Sequence, residues 1–264
     1  MAVGDFNKDG KDDLIVSSPL ESIKNNTVAK AGAFHVIYGS ANGLTTANSK
    51  AFSQETFDNT SNLKADNQLG CSLAVADFNS DTYDDLAVGS RWRYGSGKYS
   101  TMIYIFFGSP QGLSESAGKF QKIAVSTPAN QTQVQSPDYT TFDSVLAAGD
   151  FGYDQQYFGR DLAIGIPKAA INNVGEAGMV LVLFGRQGMG IDPTIPQQVL
   201  HQDVAGIEGG CEAGDWFGSA LATGRFGSLP PYEAIAVGAS GEGIIWNSVN
   251  QTKAGAFHVI LENK

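Results

Sequence analysis

An all-β fold, made of repeated units of four short strands, is predicted for this chain of 264 residues by its composition, its repeats and its lack of helical spacing. Glycine is abundant at 32 residues, and charged residues are sparse at 17%. That balance suits short strands and tight turns better than long surface helices. No stretch shows apolar residues at a sustained helical period, so strands are the expected elements throughout.

The internal repeat is the strongest of these observations. The octapeptide Lys30–Ile37 recurs without change as Lys253–Ile260, and weaker copies of the same run are Thr101–Gly108 and Gly178–Gly185. A second marker is the dipeptide Asp-Phe, which is Arg-Phe in the last copy. Its copies begin 72 to 75 residues apart, at Asp5, Asp77, Asp150 and Arg225. A period of this size fits a propeller blade with long loops.

Each unit contains an apolar run, an Asp-rich turn, a run of small and β-branched residues, the octapeptide-type run and a fourth strand. Fourth strands are predicted at Ser49–Phe57, Gly118–Ser126 and Thr194–Asp203. Four short strands bounded by Gly, Asn, Asp and Pro are typical of a β-propeller blade. The sequence therefore predicts one propeller domain with blade units at about 1–65, 66–138, 139–212 and 213–264.

The order of these motifs resembles the FG-GAP repeat of integrin α-subunits. Phe217-Gly218, the following Leu221-Ala222, the Asp-rich turns and Gly165-x-Pro167 carry that resemblance. The linkers Gly39–Leu44 and Glu212–Gly218 are similar to those of bacterial secreted FG-GAP proteins. The resemblance covers essentially the whole chain, and it implies an integrin-like β-propeller.

The number of blades leaves two alternatives open. The family typically closes a ring of seven blades, whereas this chain holds just under four units. The chain is either a fragment of a larger ring or an unusually small ring. An unpaired outer strand would be free to pair with another chain, so self-association through blade edges is a further expectation.

Two nine-residue loops, Asp5–Asp13 and Asp77–Asp85, are predicted to bind calcium. Side-chain oxygens fall at loop positions 1, 3, 5 and 9, and a backbone carbonyl is available at position 7. One tight loop can thus surround a hard cation that takes six to eight oxygen ligands. The candidate ligands are Asp5, Asn7, Asp9, Lys11 through its carbonyl, Asp13, Asp77, Asn79, Asp81, Tyr83 through its carbonyl, and Asp85.

These loops have two rival interpretations. An EF-hand needs a Glu at position 12 and flanking helices, whereas that position holds Val16 and Val88 and the flanks are strands. A solvated Asp/Asn turn without metal is the alternative, and it is stronger for the second loop, where Thr82 replaces Gly10. The family resemblance implies structural calcium on one face of the propeller.

The third and fourth copies of the loop are degraded. The third has Gly152 at position 3 and about three extra residues, so we expect no calcium there, or a weak site formed by Asp150, Asp154 and Asp161. The fourth copy has no carboxylate cluster and is predicted to be free of metal.

Charge and hydropathy narrow the partners. The net charge of −10 argues against nucleic acid, and no apolar run is long enough for membrane insertion. No basic and apolar leader opens the chain, and the resemblance implies an extracellular or cell-surface location. Cys71 and Cys211 occupy non-equivalent places in the repeats, so we expect incidental or buried thiols rather than a disulfide.

A ligand surface is predicted on the loops that join strands two and three, where the family binds its ligands. Arg91, Trp92, Arg93 and Tyr94 combine aromatic and basic side chains, and Trp246 lies in the equivalent loop of the fourth unit. Such groups suit a protein hot spot or sugar stacking. The alternative is that these aromatic residues cap the ends of the blades.

No catalytic motif is evident: a nucleophile elbow, a phosphate-binding loop and a zinc-hydrolase pattern are all missing from the sequence. The sequence thus predicts a protein that is not an enzyme but a calcium-stabilised extracellular recognition or adhesion module, binding a protein partner. The alternatives are a lectin-like propeller that binds glycans and an accessory domain of a secreted enzyme, as in phospholipases that carry FG-GAP blades.

Overall fold

The computed structural model divides into two compact units, Met1–Ser126 and Thr127–Lys264. The residues that it describes are 1–25, 27–58, 63–94, 98–116, 118–125, 134–135, 145–152, 159–226, 233–246 and 249–261. No helix in these ranges is long and apolar enough to span a membrane.

The first unit contains two antiparallel sheets, each with its four strands in chain order. The first sheet comprises β1 (Ala2–Gly4), β2 (Asp13–Ser18), β3 (Ala33–Tyr38) and β4 (Thr45–Phe52), and one helical turn, α1 (Gln54–Phe57), follows it. The second comprises β5 (Leu73–Ala76), β6 (Asp85–Tyr94), β7 (Lys98–Phe106) and β8 (Phe120–Val125).

The second unit repeats this plan with additional short pairs. Its strands in chain order are β9 (Val134–Gln135), β10 (Val145–Gly149), β11 (Asp161–Ile166), β12 (Ala170–Ile171), β13 (Met179–Leu183), β14 (Gly185–Arg186), β15 (Gly190–Ile191), β16 (Gln198–Leu200), β17 (Phe217–Gly224), β18 (Ala234–Ala239), β19 (Ile244–Trp246), β20 (Val249–Gln251) and β21 (Ala256–Ile260). The main sheets are β10-β11-β13-β16 and β17-β18-β21. Two-stranded pairs are formed by β12 with β9, β14 with β15, and β19 with β20.

Repeated four-stranded antiparallel sheets are the blades of a β-propeller, and they confirm the predicted fold class. The predicted fourth strand at Ser49–Phe57 is partly wrong, because its second half forms α1. Thr56 explains the change, since its hydroxyl oxygen accepts the Ser53 N–H at 3.3 Å and its own N–H donates to the Ser53 carbonyl. This local bonding starts a helical turn instead of continuing the strand.

The core of the first unit is aromatic. The rings of Phe34 and Phe52 stack at 4.7 Å between centroids, and Phe106 packs edge-on against both. The core of the second unit is mainly aliphatic, and includes Val180, Leu200 and Val237 around Phe217. Strands that are apolar on both faces thus pack sheet against sheet within each unit.

The same crossing joins the first sheet to the second and the third to the fourth. Gly32 forms a parallel bridge with Leu69, and Gly178 forms one with Phe217. A Cβ at Gly32 would lie 2.3 Å from the backbone nitrogen of Leu69, and at Gly178 it would lie 2.2 Å from the carbonyl oxygen of Phe217. Glycine is therefore required at both positions, because only its bare Cα allows the two backbones to approach so closely.

Candidate metal-binding loops

The first Asp loop is closed by hydrogen bonds from its own backbone to its own side chains. The two carboxylate oxygens of Asp5 accept the N–H groups of Asp9 at 3.0 Å and Gly10 at 2.8 Å. Asn7 Oδ1 also accepts the Asp9 N–H at 3.0 Å, and Asp9 Oδ1 accepts the Lys11 N–H at 2.9 Å. Because one amide contacts both Asp5 and Asn7, side-chain oxygens from loop positions 1 and 3 converge.

The second Asp loop reproduces this pattern bond for bond. Asp77 accepts the N–H groups of Asp81 at 3.0 Å and Thr82 at 2.8 Å, Asn79 Oδ1 accepts that of Asp81, and Asp81 Oδ1 accepts that of Tyr83. Thr82 adopts a φ of 78°, almost the 79° of Gly10. The threonine therefore strains the turn without changing its path.

The aspartate at position 9 is anchored differently from the others. Asp13 is fully buried and its oxygens accept the N–H groups of Phe6 at 3.0 Å and Gly39 at 2.8 Å. Asp85 is also fully buried and binds Phe78 and Gly108 in the same way. These carboxylates thus connect the start of each loop to the end of the third strand.

Burial changes the acidity of both anchors. It raises the pKa of Asp13, and it raises that of Asp85 to about 8. The N–H group of Gly108 opposes this rise for Asp85, whereas the negative charges of Asp81 and Asp77 add to it. A cation bound in the loop would offset this repulsion between carboxylates.

The third loop keeps the anchor although it has lost other oxygens. Asp161 accepts the N–H groups of Phe151 at 2.8 Å and Gly185 at 2.9 Å, as Asp13 and Asp85 do in their sheets. Asp154, a predicted weak ligand, lies outside the described residues. In the fourth sheet Ala234 pairs with Gly224 where Asp161 pairs with Gly149, so the anchoring carboxylate is replaced there.

A link between neighbouring sheets was not predicted from the sequence. Asp84 Oδ2 accepts the N–H of Asp5 at 2.8 Å across 79 residues of chain. In the second unit Glu233 Oε2 accepts the N–H of Asp150 at 3.2 Å, and Glu233 also pairs with Arg160. The only sequence signal is a carboxylate just before the second strand of the second and fourth sheets, Asp84 before β6 and Glu233 before β18.

The Asp loops fit calcium by their donor chemistry. Positions 1, 3 and 5 offer carboxylate or amide oxygens, which are the ligands that hard cations prefer. Within the described ranges, the three carboxylates of either loop do not all lie within 4.8 Å of one another. Their oxygens accept N–H groups of the loop backbone. Each oxygen retains a lone pair beside its N–H partner, and Asp5, Asn7, Asp9 and their counterparts Asp77, Asn79 and Asp81 are the groups that would hold the ion.

The predicted ligand surface lies on a two-stranded extension. Strand β6 pairs with β7 from Leu86 to Tyr94, whereas β5 pairs with β6 only as far as Val88 and β8 pairs with β7 only from Thr101. Arg91 is half-buried. The side chains of Trp92, Arg93, Tyr94 and Trp246 lie outside the part of the chain that the structure describes.

An acidic group in the second unit has a neutral counterpart in the first. Asp215 is 2% exposed, and its Oδ2 accepts the Glu212 N–H at 2.6 Å. Its carboxylate lies within 4.8 Å of those of Glu212 and Glu242. Burial raises the pKa of Asp215 to about 6, the Glu212 N–H opposes this, and the charges of Glu242 and Glu212 add to it. Leu69 and Phe217 form equivalent bridges with Gly32 and Gly178. Asn67 and Asp215 each lie two residues before these positions, so Asn67 is the counterpart of Asp215.

Comparison with known proteins supports the recognition of the repeats. A model of the FG-GAP repeat matches residues 1–37 and 70–106, so the chain carries FG-GAP repeats, as its motifs predicted. The two matches contain the two Asp loops.

Curated relatives match most of the chain. It is 32% identical over 171 residues to phosphatidylinositol-glycan-specific phospholipase D of Rattus norvegicus, covering 64% of this chain and 18% of that protein. It is 28% identical over 223 residues to the Homo sapiens protein of the same name, covering 84% of this chain and 24% of that protein. The prediction that the protein is not an enzyme is wrong, because these relatives are named as phospholipases.

Proposed function

We propose that the chain is the calcium-binding FG-GAP propeller portion of an extracellular enzyme of the phosphatidylinositol-glycan-specific phospholipase D type. The observation that carries this proposal is the similarity to those enzymes over 84% of the chain in the human case. The chain spans 24% of that relative, so the activity is proposed for the full-length protein. This proposal corresponds to one of the alternatives that the sequence left open, the accessory domain of a secreted enzyme.

Calcium has a structural role in this proposal. The loop oxygens of Asp5, Asn7 and Asp9, with their counterparts in the second loop, hold the turn between the first and second strands of a sheet. Calcium bound in either loop would neutralise its two carboxylates, Asp5 and Asp9 or Asp77 and Asp81, whose charges act on the buried anchor Asp13 or Asp85. A ligand that binds only the folded state stabilises it, so calcium would raise the free energy of unfolding of the first unit.

The extended hairpin of β6 and β7 is the proposed contact with the substrate. Its outer part carries Arg91, Trp92, Arg93 and Tyr94 beyond the edges of the neighbouring strands β5 and β8. Tryptophan and tyrosine rings stack on sugars, and arginine pairs with phosphate in a bidentate manner. A phosphatidylinositol glycan offers both sugars and phosphate, and a glycosylated protein partner offers the sugars.

The test uses the full-length protein that contains this chain. Phospholipase D cleavage adds water to the phosphodiester, leaving the phosphate on the lipid as phosphatidic acid and releasing the inositol glycan as an alcohol. We expect both products from a phosphatidylinositol-glycan substrate. We expect Trp92→Ala with Arg93→Ala to raise the KM, whereas Lys168→Ala, a change in the second unit, serves as the control. If neither product forms, the proposed activity is wrong; if products form but the KM is unchanged, the hairpin is not the contact.

A further inference from the structure

Three metal-binding side chains meet in the second unit, away from the Asp loops. His201, Asp203 and Cys211 each present one ligand atom, and these atoms lie within 4.8 Å of one another. The sequence did not connect them: Cys211 was expected to be an incidental thiol, and His201 stood apart from any motif. The chain between β16 and β17 folds back and brings His201 close to Cys211, ten residues later in the sequence.

The spacing of the donor atoms matches a tetrahedral metal. Cys211 Sγ lies 3.7 Å from His201 Nδ1. Zinc binds sulfur at about 2.3 Å and nitrogen at about 2.0–2.1 Å, so a tetrahedral angle separates the two donors by about 3.6 Å. The sulfur and nitrogen therefore already stand at the distance that one shared ion requires.

The imidazole is prepared to donate through Nδ1. His201 is 6% exposed, and its Nδ1 accepts the backbone N–H of Asp203 at 3.2 Å, so this nitrogen carries the lone pair of the ring, which a bound metal would take in place of that hydrogen bond. Neutral imidazole is the form that binds metals.

The carboxylate is oriented by neighbouring groups. Asp203 Oδ1 accepts the N–H of Cys211 at 2.9 Å, and Asp203 Oδ2 accepts an amide hydrogen of Asn172 at 3.0 Å. Such outer contacts fix the direction of a metal ligand and are part of the design of metal sites. Asn172 belongs to the loop after β12, so two separate segments hold this group together.

We propose that His201, Asp203 and Cys211 form a binding site for a zinc-like transition-metal ion. The combination of thiolate, imidazole and carboxylate favours such an ion over calcium, which takes oxygen ligands. On binding, Cys211 loses its thiol proton to solvent as the metal–sulfur bond forms, and a water molecule takes the fourth position. The site is therefore chemically distinct from the Asp loops of the first unit.

The competing explanation is a thiol that only donates a hydrogen bond to His201. Without metal, burial raises the pKa of Cys211 to about 11, so the thiol stays protonated and the 3.7 Å contact is an S–H···N interaction. Cys71 is a matched control, because it is the other cysteine of the chain, is also free, and belongs to neither three-donor group of the described residues.

Titration with Co2+ distinguishes the two explanations, because cobalt bound to a thiolate shows a sulfur-to-metal charge-transfer band in the near ultraviolet. We expect one equivalent of cobalt to produce this band in the wild type and in Cys71→Ser, but not in Cys211→Ser. Zinc should displace the cobalt and calcium should not. Asn172→Ala should weaken binding roughly ten- to a hundred-fold, as is usual for groups that orient a ligand.

A second readout guards against a variant that fails to fold. In the wild-type chain, zinc should protect Cys211 from alkylation while Cys71 reacts at the same rate with and without the metal, as mapped by peptide mass spectrometry. Absence of the cobalt band in the wild type, or its persistence in folded Cys211→Ser, would overturn the proposal. So would alkylation of Cys211 that zinc does not slow.

Discussion

Two copies of one octapeptide have opposite environments in the two units. Lys30–Ile37 and Lys253–Ile260 are identical in sequence. Phe34 of the first copy is 0% exposed and stacks on Phe52, whereas Phe257 of the second copy is 75% exposed. Residues Ala33–Ile37 of the first copy belong to β3, which lies between β2 and β4. The corresponding residues of the second copy, Ala256–Ile260, form β21, which pairs with β18 alone among the described strands. Local sequence thus determines the strand, and the neighbouring strand determines burial.

The Asp loops show the same division between local and long-range causes. The inner bonds of both loops join residues that are two to five apart, and both loops form them identically. The residues that differ between the units contact more distant segments: the Asn67 amide donates to Gln54 Oε1 at 2.7 Å, and the Asp215 carboxylate lies within 4.8 Å of that of Glu242. The two units therefore share one local plan and differ in the charge next to the bridge that joins their sheets, where Asn67 is neutral and Asp215 is acidic.

The largest expected difference comes from the phenylalanines of the two octapeptides. Phe34→Ala should lower the free energy of unfolding by about 3–5 kcal/mol, because it removes a buried ring and leaves a cavity. Phe257→Ala should change it by less than about 0.5 kcal/mol, because the ring is already in solvent. Urea unfolding of both variants measures the two values. Equal losses would show that the second octapeptide is covered as the first is.

The next difference separates the anchors from the exposed loop residues. Asp85→Ala leaves the buried N–H groups of Phe78 and Gly108 without their acceptor, and each unpaired group costs about 1–3 kcal/mol. Asp81→Ala is the control, since water can replace its exposed carboxylate when calcium is absent. Unfolding in a chelator should therefore show a large loss for Asp85→Ala and a small one for Asp81→Ala. Similar losses would contradict the anchoring role.

The smallest difference concerns how the free energy of unfolding depends on pH through Asp215. The pKa of Asp215 is raised to about 6 in the folded protein, above its ordinary value of 3.8. The folded state thus holds this proton more tightly, so its contribution to stability is full below about pH 4 and is lost as the pH rises to about 6. Asp215→Asn, which copies Asn67, should remove this part of the dependence.

The measurement is the difference in unfolding free energy between the wild type and Asp215→Asn across pH 4 to 8. Subtraction removes the titration of Asp85 and other groups that both proteins share. The negative charges that face Asp215 are those of Glu212 and Glu242. Parallel stability curves would show that Asp215 keeps an ordinary pKa in the folded protein.

Local patterns made much of the fold predictable. The repeated runs gave the strands, and the spacing of Asp and Asn gave the two loops with their convergent oxygens at Asp5 and Asn7. The bonds from Asp84 to Asp5 and from Glu233 to Asp150 were not predictable, because their partners lie 79 and 83 residues apart. The helical turn at Gln54–Phe57 was missed because a threonine hydroxyl outweighed the strand pattern.

The prediction that the protein is not an enzyme was wrong because it depended on sequence motifs alone. The sequence shows no catalytic motif, yet the relatives of the chain are named as phospholipases. The chain spans 18% of the rat relative, so motifs elsewhere in such a protein would not be visible in these 264 residues. Likewise, His201 and Cys211 could not be connected before the loop that joins them was known.

Isothermal titration of the chain with calcium tests the central proposal, that each of the two Asp loops of the first unit holds one calcium ion. We expect two calcium ions per chain, one in each of Asp9→Ala and Asp81→Ala, and none in the double variant. We also expect calcium at a hundred times its dissociation constant to stabilise the wild type by about 2.7 kcal/mol per site. Two ions bound by the double variant, or no binding by the wild type, would contradict the proposal.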